Sequence, residues 1–325
     1  MIDLRDVSNK SICVTGRIPG FTKTELEILL KARGATFVNS SPSKNTSVVV
    51  AAENEGKKVD KARALGLPLM FGEEVRAALG APLEGYRARL EARMAARPKF
   101  YKTATAHLGE PAPAALLDRV AERVGFALPA AARNLFGQVN GISYLWATRS
   151  LPFAIDGAIP WSEAMHQDGR IWRALAELQR TGKSGLHMGH IAIPDVETIF
   201  FSQWDGRVFT SDNPGPKDKV AIGKKKAKAQ DFWRNLFLFD AFHGYYQAAL
   251  WADPVSEEFY VVYGSDYGAD WGWSNPISLE LYMEFLCCGF GDARIIEPAS
   301  KAGMTTSMHR IAGQSWIELR PFDRL

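Results

Sequence analysis

Cysteine is scarce in this sequence, and long apolar runs are missing. Only three of the 325 residues are cysteine, too few for the disulfide framework of a secreted domain. The longest apolar candidate, residues 279–290, contains two glutamates and is shorter than a membrane-spanning helix. The first residues lack the basic segment and apolar stretch of a secretion signal. We therefore predict a cytoplasmic protein with no membrane partner.

Recognised catalytic motifs are missing as well. Residues 187–190 have an HxxH spacing, but no acidic residue nearby completes a zinc site. The adjacent Cys287 and Cys288 fall on an apolar helix face, where a free cysteine is usually a small core residue. Residues 264–272 are glycine-rich but too aromatic for a phosphate loop. We predict no catalytic residue, no metal and no cofactor, and thus a protein that is not an enzyme.

The net charge is small, but it is unevenly distributed. The whole chain carries +3. Residues 1–110 contain 18 lysines and arginines against 12 acidic residues, a net of +6, whereas residues 111–325 contain 21 against 24, a net of −3. A basic first part suits a polyanionic partner. The length and the hydrophobic content of 46% fit two domains.

The first eighty residues alternate between short strands and amphipathic helices. Apolar segments with strand composition lie at 11–16, 35–38, 47–52 and 67–70. Helices are predicted to begin near residues 23, 57 and 73, and a glycine follows each of them as a left-handed stop. Pro68 puts the last strand at an edge, because proline cannot donate to a ladder. This order predicts a parallel sheet flanked by helices.

Polar and basic residues cluster where these strands end and the helices begin. Thr15 and Gly16 end the first strand, Lys23 begins the first helix, and Lys58 lies in the first turn of the second helix. A hydroxyl and a glycine amide facing lysines at two helix starts form an anion pocket. The sequence therefore predicts a phosphate site at these four residues. The alternative is that the lysines are ordinary solvated helix residues.

This part of the chain, residues 7–80, resembles the BRCT domain, especially the branch in NAD-dependent DNA ligases and in the large subunit of the replication factor C clamp loader. The resemblance rests on four segments: VTG at 14–16, KARGA at 31–35, SKNTSVVV at 43–50 and KVDKARALGL at 58–67. It implies a BRCT domain at residues 1–81 with a four-stranded parallel sheet flanked by helices. In phosphate-binding members the threonine hydroxyl, the glycine amide and a helix-two lysine hold the phosphate, which implies these roles for Thr15, Gly16 and Lys58.

The sequence departs from the family in ways that narrow the expected ligand. The clamp-loader branch usually has an arginine where this chain has Lys23, and lysine lacks the bidentate guanidinium fork. Phosphopeptide-binding members usually pair two such domains, and no second copy is found here. A lone phosphate such as a DNA 5′ end therefore fits better than a long phosphopeptide. Ligase activity is not expected, because the catalytic modules that precede this domain in ligases do not precede it here.

Residues 82–114 are predicted to form a basic helix followed by a linker. The basic side chains are Arg87, Arg89, Arg93, Arg97, Lys99 and Lys102, and the apolar ones opposite them are Leu83, Tyr86, Leu90 and Met94. Such a helix is either a basic arm along DNA phosphates or a solvated helix packed on one domain, and the second interpretation is favoured. The prolines and small residues of 109–114 predict the linker.

The second domain, residues 115–297, is predicted to be an α+β domain with an antiparallel sheet, followed by a carboxyl-terminal tail at 298–325. Helices are predicted at 116–124, 130–139 and 279–287, and strands at 191–193, 198–201, 207–210 and 258–263, with an Asp-Gly hairpin turn at 204–206. A lysine run at 224–228 could contact nucleic acid, although an exposed basic loop is the favoured interpretation.

Three segments of this domain resemble the SUKH superfamily: 128–141, the predicted hairpin at 191–210, and the helix after Ser278. Members of that superfamily are mostly non-enzymatic binding modules, many of them immunity proteins that neutralise bacterial toxins. The resemblance implies a protein partner such as a toxin or nuclease. The aromatic and acidic residues of 260–273 suit a basic nuclease surface, but such aromatic residues are more often core.

Together these observations predict a non-enzymatic binding protein. A BRCT module recognises DNA 5′-phosphate ends or a phosphorylated protein, and a SUKH-like domain binds a protein. Two alternatives stay open. One is a BRCT scaffold that binds protein without phosphate. The other is an enzyme in the second domain that the BRCT module targets to DNA.

Overall fold

The computed structural model describes residues 2–16, 18, 21, 23–52, 56–95, 102–147, 156–159, 188–202, 217–222, 225–240, 246–265, 273 and 276–289. Residues 2–80 form the amino-terminal module. Its elements are β1 (Ser11–Thr15), α1 (Lys23–Ala32), β2 (Phe37–Asn39), β3 (Val48–Ala51), α2 (Lys57–Ala64), β4 (Leu69–Phe71) and α3 (Gly72–Leu79). The four strands pair in parallel in the order β2-β1-β3-β4. This confirms the predicted parallel sheet with β4 at an edge.

Both faces of this sheet are covered, as the apolar run of β3 requires. Alternate residues of β1 and β3, such as Ile12 and Val50, pack with Leu26 and Leu30 of α1. The intervening residues Cys13 and Val49 face Ala62 of α2 instead. Helices α1 and α2 therefore lie on opposite faces of one sheet. Lys23 and Lys57, which begin these helices, follow the carboxyl ends of the paired parallel strands β1 and β3 in the chain.

A second region extends from β5 to α9. Helix α4 (Tyr86–Ala95) leads into this region. The elements of the region are β5 (Lys102–Leu108), α5 (Ala114–Val124), α6 (Ala130–Phe136), β6 (Ile142–Ala147), β7 (Met188–Ile193), α7 (Val196–Phe201), β8 (Lys219–Ile222), β9 (Lys225–Lys228), α8 (Ala229–Arg234), β10 (Leu236–Asp240), β11 (Tyr246–Asp253), β12 (Glu258–Ser265), β13 (Ile277–Ser278) and α9 (Leu279–Gly289). The sheets β5-β6-β7, β8-β9 and β10-β11-β12-β13 are antiparallel. The fold is therefore mixed α/β, as predicted. Among the described helices, none is both long and apolar enough to cross a membrane.

The strand predicted at 198–201 is wrong, because these residues form part of α7. The β-branched and aromatic composition of the segment favoured a strand. Asp195 favours the helix instead, because its side chain caps the first turn and accepts the Thr198 amide hydrogen at 2.7 Å. The predicted turn at 204–206 and strand at 207–210 lie outside the described residues.

Helix α4 is packed against the protein through Tyr86, Leu90 and Met94, which are buried. Its Arg87 guanidinium donates to the carbonyl oxygens of Gly109 at 3.0 Å and Gln138 at 3.2 Å. These contacts fit the packed-helix interpretation rather than a basic arm along DNA.

The proline-rich segment that follows β5, predicted as a linker, is held in place by backbone hydrogen bonds. Gly109 N donates to Gly141 O, and Ala112 N donates to Phe136 O, both at 2.9 Å. Prolines exclude a helix here, but the Gly109 and Ala112 amides still donate hydrogen bonds to the rest of the fold. The predicted domain bounds remain predictions.

A buried ion cluster joins the amino-terminal module to α9. The side chain of Arg33, at the end of α1, is 4% exposed. Its guanidinium donates to Leu79 O at 2.9 Å and pairs with Glu280 at 3.2 Å and Glu284 at 3.4 Å. Arg89 of α4 also pairs with Glu284. Burial raises the pKa of Glu280, and the neighbouring Arg33 charge opposes that shift.

Apolar contacts continue this junction. Leu26 and Leu79 of the amino-terminal module belong to the same buried cluster as Tyr282 and Leu286 of α9. The Tyr86 hydroxyl donates to Met283 O at 3.0 Å. The two regions therefore share one core instead of being joined only by the chain.

We expect Arg33→Met to lower the free energy of unfolding by about 3–5 kcal/mol, because buried carboxylates lose their cation. Denaturant unfolding at neutral pH measures this. Arg5→Met is the matched control, since Arg5 pairs with Asp3 at 2.9 Å in an ion pair whose side chains are 59% and 50% exposed. That control should change stability far less than Arg33→Met does, because solvent screens the exposed pair. Equal losses in the two variants would contradict the role of the cluster.

Candidate phosphate-binding site

The four predicted site residues lie where the strands of the parallel sheet end, at its carboxyl edge. Thr15 at the end of β1 pairs with Ala51 at the end of β3, and Ala52 N donates to Thr15 O at 3.1 Å. Both strands lead into helices, so α1 and α2 begin beyond the same edge. Lys23 is the first residue of α1, and Lys58 is the second residue of α2. Ligands of open α/β sheets bind at this edge, where strands end and helices begin.

The basic side chains of α1 and α2 act electrostatically on Cys13 of β1. Cys13 is buried in the middle of β1. Burial raises the pKa of its thiol, and the positive charges of Lys58, Lys23 and Lys61 oppose this shift. Lysines from both helices therefore act on one point in the middle of β1. Lys61 is a further basic residue that the sequence-based site did not include.

These lysines differ in their partners. Lys23 Nζ lies 3.5 Å from Glu27 Oε1, one turn along α1, so a carboxylate competes for its charge. Lys61 Nζ donates to Ser41 Oγ at 3.5 Å. Lys58 is exposed, and no carboxylate within the described part of the chain forms an ion pair with it. Lys58 is therefore the cation best placed for an external anion.

Two glycines shape the backbone at this edge. Gly16 has φ +79°, and a Cβ at this position would lie 2.6 Å from Ala52 Cβ. Only glycine fits there without a shift of β3. Gly56 precedes α2 with φ +110° and has no side chain that could cap the helix. The first amide groups of α2, next to Lys58, carry the positive end of the helix dipole.

Comparison with known proteins identifies this module. Residues 5–74 match the family model of the BRCA1 C Terminus (BRCT) domain. The amino-terminal module is a BRCT domain. The match includes Thr15, Gly16, Lys23 and Lys58. Binding of phosphate by these residues remains a prediction.

Curated proteins that are similar to this module include DNA ligases. Identity is 42% over 69 residues with the enzyme of Francisella philomiragia subsp. philomiragia, which covers 21% of this chain and 10% of the relative. It is 38% over 78 residues with that of Carboxydothermus hydrogenoformans, covering 23% and 12%. It is 42% over 67 residues with that of Clostridium tetani, covering 21% and 10%. The chain thus spans about a tenth of the length of the relatives that it matches.

The BRCT prediction is confirmed, but these comparisons do not support a SUKH-like second domain. The family match ends at residue 74, ahead of the second region. One of the three segments that carried the SUKH resemblance also differs from expectation, because 196–201 is a helix. A toxin as partner has no support from the comparisons either.

The second region contains a buried carboxyl group that the sequence analysis did not single out. Asp240 accepts the Ala192 amide hydrogen on Oδ1 and the Tyr282 hydroxyl on Oδ2, both at 2.8 Å. Burial raises the pKa of Asp240 to about 7, although both hydrogen bonds oppose the shift. The group joins β10 to β7 and α9. The sequence signal for a buried carboxyl group here is an acidic residue directly after the four apolar residues 236–239.

No metal centre is evident in the described residues, where no group of three or more histidine, cysteine, aspartate or glutamate side chains could hold an ion. His190 of the predicted HxxH pair is buried in β7, and His187 lies outside the described residues. Cys287 is buried in α9, in agreement with its interpretation as a core residue.

We expect Gly16→Ala to destabilise the protein more than Gly66→Ala. Both glycines have positive φ, +79° and +65°, so each alanine adds backbone strain on the order of 1–2 kcal/mol. A Cβ at Gly66 would meet nothing within 4 Å, whereas one at Gly16 collides with Ala52. Urea unfolding measures the loss of unfolding free energy in each variant, and the difference between the two losses reports the collision with Ala52. Equal losses would show that β1 and β3 are not closely packed at the site.

We expect the stability of the protein to fall between pH 5 and pH 8 through Asp240. Folded Asp240 keeps its proton up to about pH 7, whereas an unfolded carboxyl loses it near the ordinary value of 3.8. The unfolded state therefore binds fewer protons in this interval, so the free energy of unfolding decreases as pH rises. The loss is on the order of 2–3 kcal/mol.

Asp240→Asn, which cannot titrate, tests this effect. Its Oδ1 can still accept the Ala192 amide hydrogen, and its Nδ2 can donate to the Tyr282 hydroxyl oxygen. Denaturant unfolding at pH 5 and pH 8 should show a smaller decrease for this variant than for the wild type. Asp231→Asn, at an exposed position of α8, should keep the wild-type decrease. The same pH dependence in all three proteins would contradict a raised pKa at Asp240.

Proposed function

We propose that the BRCT domain binds the 5′-phosphate of DNA ends through Thr15, Gly16, Lys23 and Lys58. The observation that carries this proposal is the placement of Lys23 and Lys58 at the starts of α1 and α2, the helices that follow the paired strands β1 and β3. The charges of both lysines act on Cys13 in the middle of β1. The similarity to the BRCT domains of DNA ligases supports DNA as the source of the phosphate.

Each group has a distinct part in this proposal. The Thr15 hydroxyl and the Gly16 amide donate hydrogen bonds to phosphate oxygens, and Lys58 supplies the main positive charge. Lys23 contributes less, because Glu27 shares its ammonium group. A terminal phosphate monoester carries close to two negative charges, whereas an internal phosphodiester carries one. The pocket therefore favours DNA ends over continuous backbone.

We also propose that the protein acts in the cytoplasm by binding alone, without catalysis in the second region. The buried acids described there already have structural partners. Asp240 bonds to Ala192 and Tyr282, and Glu280 and Glu284 pair with Arg33. Groups committed to such bonds are poor candidates for general acids or bases. The alternative is an enzyme in the second region that the BRCT domain directs to DNA. Such an enzyme would need catalytic groups other than these buried acids.

We expect Lys58→Ala to lower the affinity for a duplex with 5′-phosphate ends about tenfold or more, since a charge-assisted hydrogen bond contributes about 1.5–3 kcal/mol. Fluorescence anisotropy compares labelled duplexes with 5′-phosphate and 5′-hydroxyl ends. Wild-type protein should prefer the phosphate, and Lys58→Ala should lose most of that preference.

Lys31→Ala is the matched control for this measurement. Lys31 lies in the last turn of α1, at the opposite edge of the sheet from Lys58, and its loss removes the same charge. This variant should retain the preference for phosphorylated ends. Equal affinity of wild type and Lys58→Ala for both duplexes would reject the pocket and favour a BRCT scaffold that does not bind phosphate.

A further inference from the structure

The hairpin of β8 and β9 presents lysines on one face. Lys219 pairs directly with Lys228, and Ala221 pairs with Lys226. Because side chains alternate along a strand, Lys219, Lys226 and Lys228 share a face with Ala221. All four residues are exposed. This set is called the lysine face below.

The opposite face of the hairpin packs on an aromatic core. Ile222 is fully buried, and Val220 and Ala227 pack against the same cluster, which includes Phe232, Leu236, Leu238, Ala249, Trp251, Val262 and Trp273. Ile222 also forms a backbone bridge with Trp273. The lysine run at 225–228 is therefore a supported strand rather than the exposed loop that the sequence favoured.

The charge of this segment is high and is not balanced locally. Residues 217–234 contain seven basic and two acidic residues, a net of +5, whereas the whole chain carries only +3. Like charges placed directly opposite each other in a sheet, as Lys219 and Lys228 are, repel. Among the residues that the structure describes, no acidic side chain forms an ion pair with the lysine face. An external polyanion would relieve this repulsion.

We propose that the lysine face binds the phosphate backbone of duplex DNA, independently of base sequence and of DNA ends. Lysines act as point charges toward phosphates, and Ala221 leaves room for close approach. The face has no arginine, asparagine or glutamine for bidentate contact with a base edge, and its lysines act as point charges, so it positions DNA without specifying sequence. This site goes beyond the BRCT pocket and does not depend on it.

DNA fits the lysine face better than an acidic protein does. Lysine is depleted at protein–protein interfaces, where aromatic residues and arginine provide most of the anchors. The lysine face has no aromatic residue or arginine, because the aromatic residues of this segment pack behind it. Charge alone, which suffices for DNA backbone binding, is what this face offers.

Binding of the full-length protein to a closed DNA dumbbell tests the proposal, because a dumbbell has no 5′-phosphate end for the BRCT pocket. Neutralising three phosphate contacts by Lys219→Gln, Lys226→Gln and Lys228→Gln together should reduce the slope of log affinity against log salt by about 2.7. Wild-type affinity should then fall about forty-fold more than that of the variant between about 50 and 200 mM salt.

Lys10→Gln, Lys31→Gln and Lys44→Gln together form the control, since they remove the same charge from the BRCT domain away from its predicted pocket. This control should keep the wild-type slope. Lys228→Gln alone, expected to reduce the slope by about 0.9, keeps the test valid if the triple variant fails to fold. Absence of dumbbell binding by the wild type, or equal slopes for both triple variants, would overturn the proposal. Displacement of the dumbbell by poly-glutamate at equal charge would do the same and would identify an acidic polypeptide as the partner.

Discussion

A single buried cation, Arg33, fixes how the two regions of this protein meet. Its guanidinium has to find acceptors because an unpaired charge in a dry interior is far more costly than a polar surface group. Glu280 and Glu284 provide them from one face of α9, and the Leu79 carbonyl provides another. Apolar contacts are non-directional, whereas these ion pairs are satisfied only where Arg33 meets Glu280 and Glu284. The ion cluster therefore favours the observed register of α1 on α9.

Helix α1 transmits that constraint to the candidate phosphate site. Its last turn is followed by Arg33 in the ion cluster, and its first residue is Lys23 at the carboxyl edge of the sheet. A ten-residue helix is rigid over this length, so the far end of α1 is oriented by the second region. The BRCT domain here is therefore part of a larger packed structure. The face that α9 covers is unavailable to partners, whereas Lys58 at the start of α2 remains exposed.

Features formed by local interactions could be predicted from the sequence, whereas features formed by long-range contacts could not. The BRCT elements follow local rules: apolar strands, amphipathic helices and glycine stops. The Arg33–Glu280 pair joins residues 247 positions apart, and nothing in either segment indicates the other. At 198–201 the β-branched composition outweighed a one-residue helix cap at Asp195. The composition of the lysine hairpin favours a loop because its polar face dominates. Val220 and Ile222 indicate its buried face only once the partner sheet is known.

The central sheet β10-β11-β12-β13 separates the two proposed DNA-binding surfaces. Along β11, Ala248, Leu250 and Ala252 contribute to the core shared with α9 and the BRCT domain, whereas Ala249 and Trp251 contribute to the core beneath the lysine face. The alternation of side chains thus assigns the two surfaces to opposite faces of one sheet. Packed layers, unlike a flexible linker, set a fixed spacing between binding sites. Simultaneous contact with one duplex then depends on whether the DNA can span that spacing, since the second contact adds affinity only where geometry permits both.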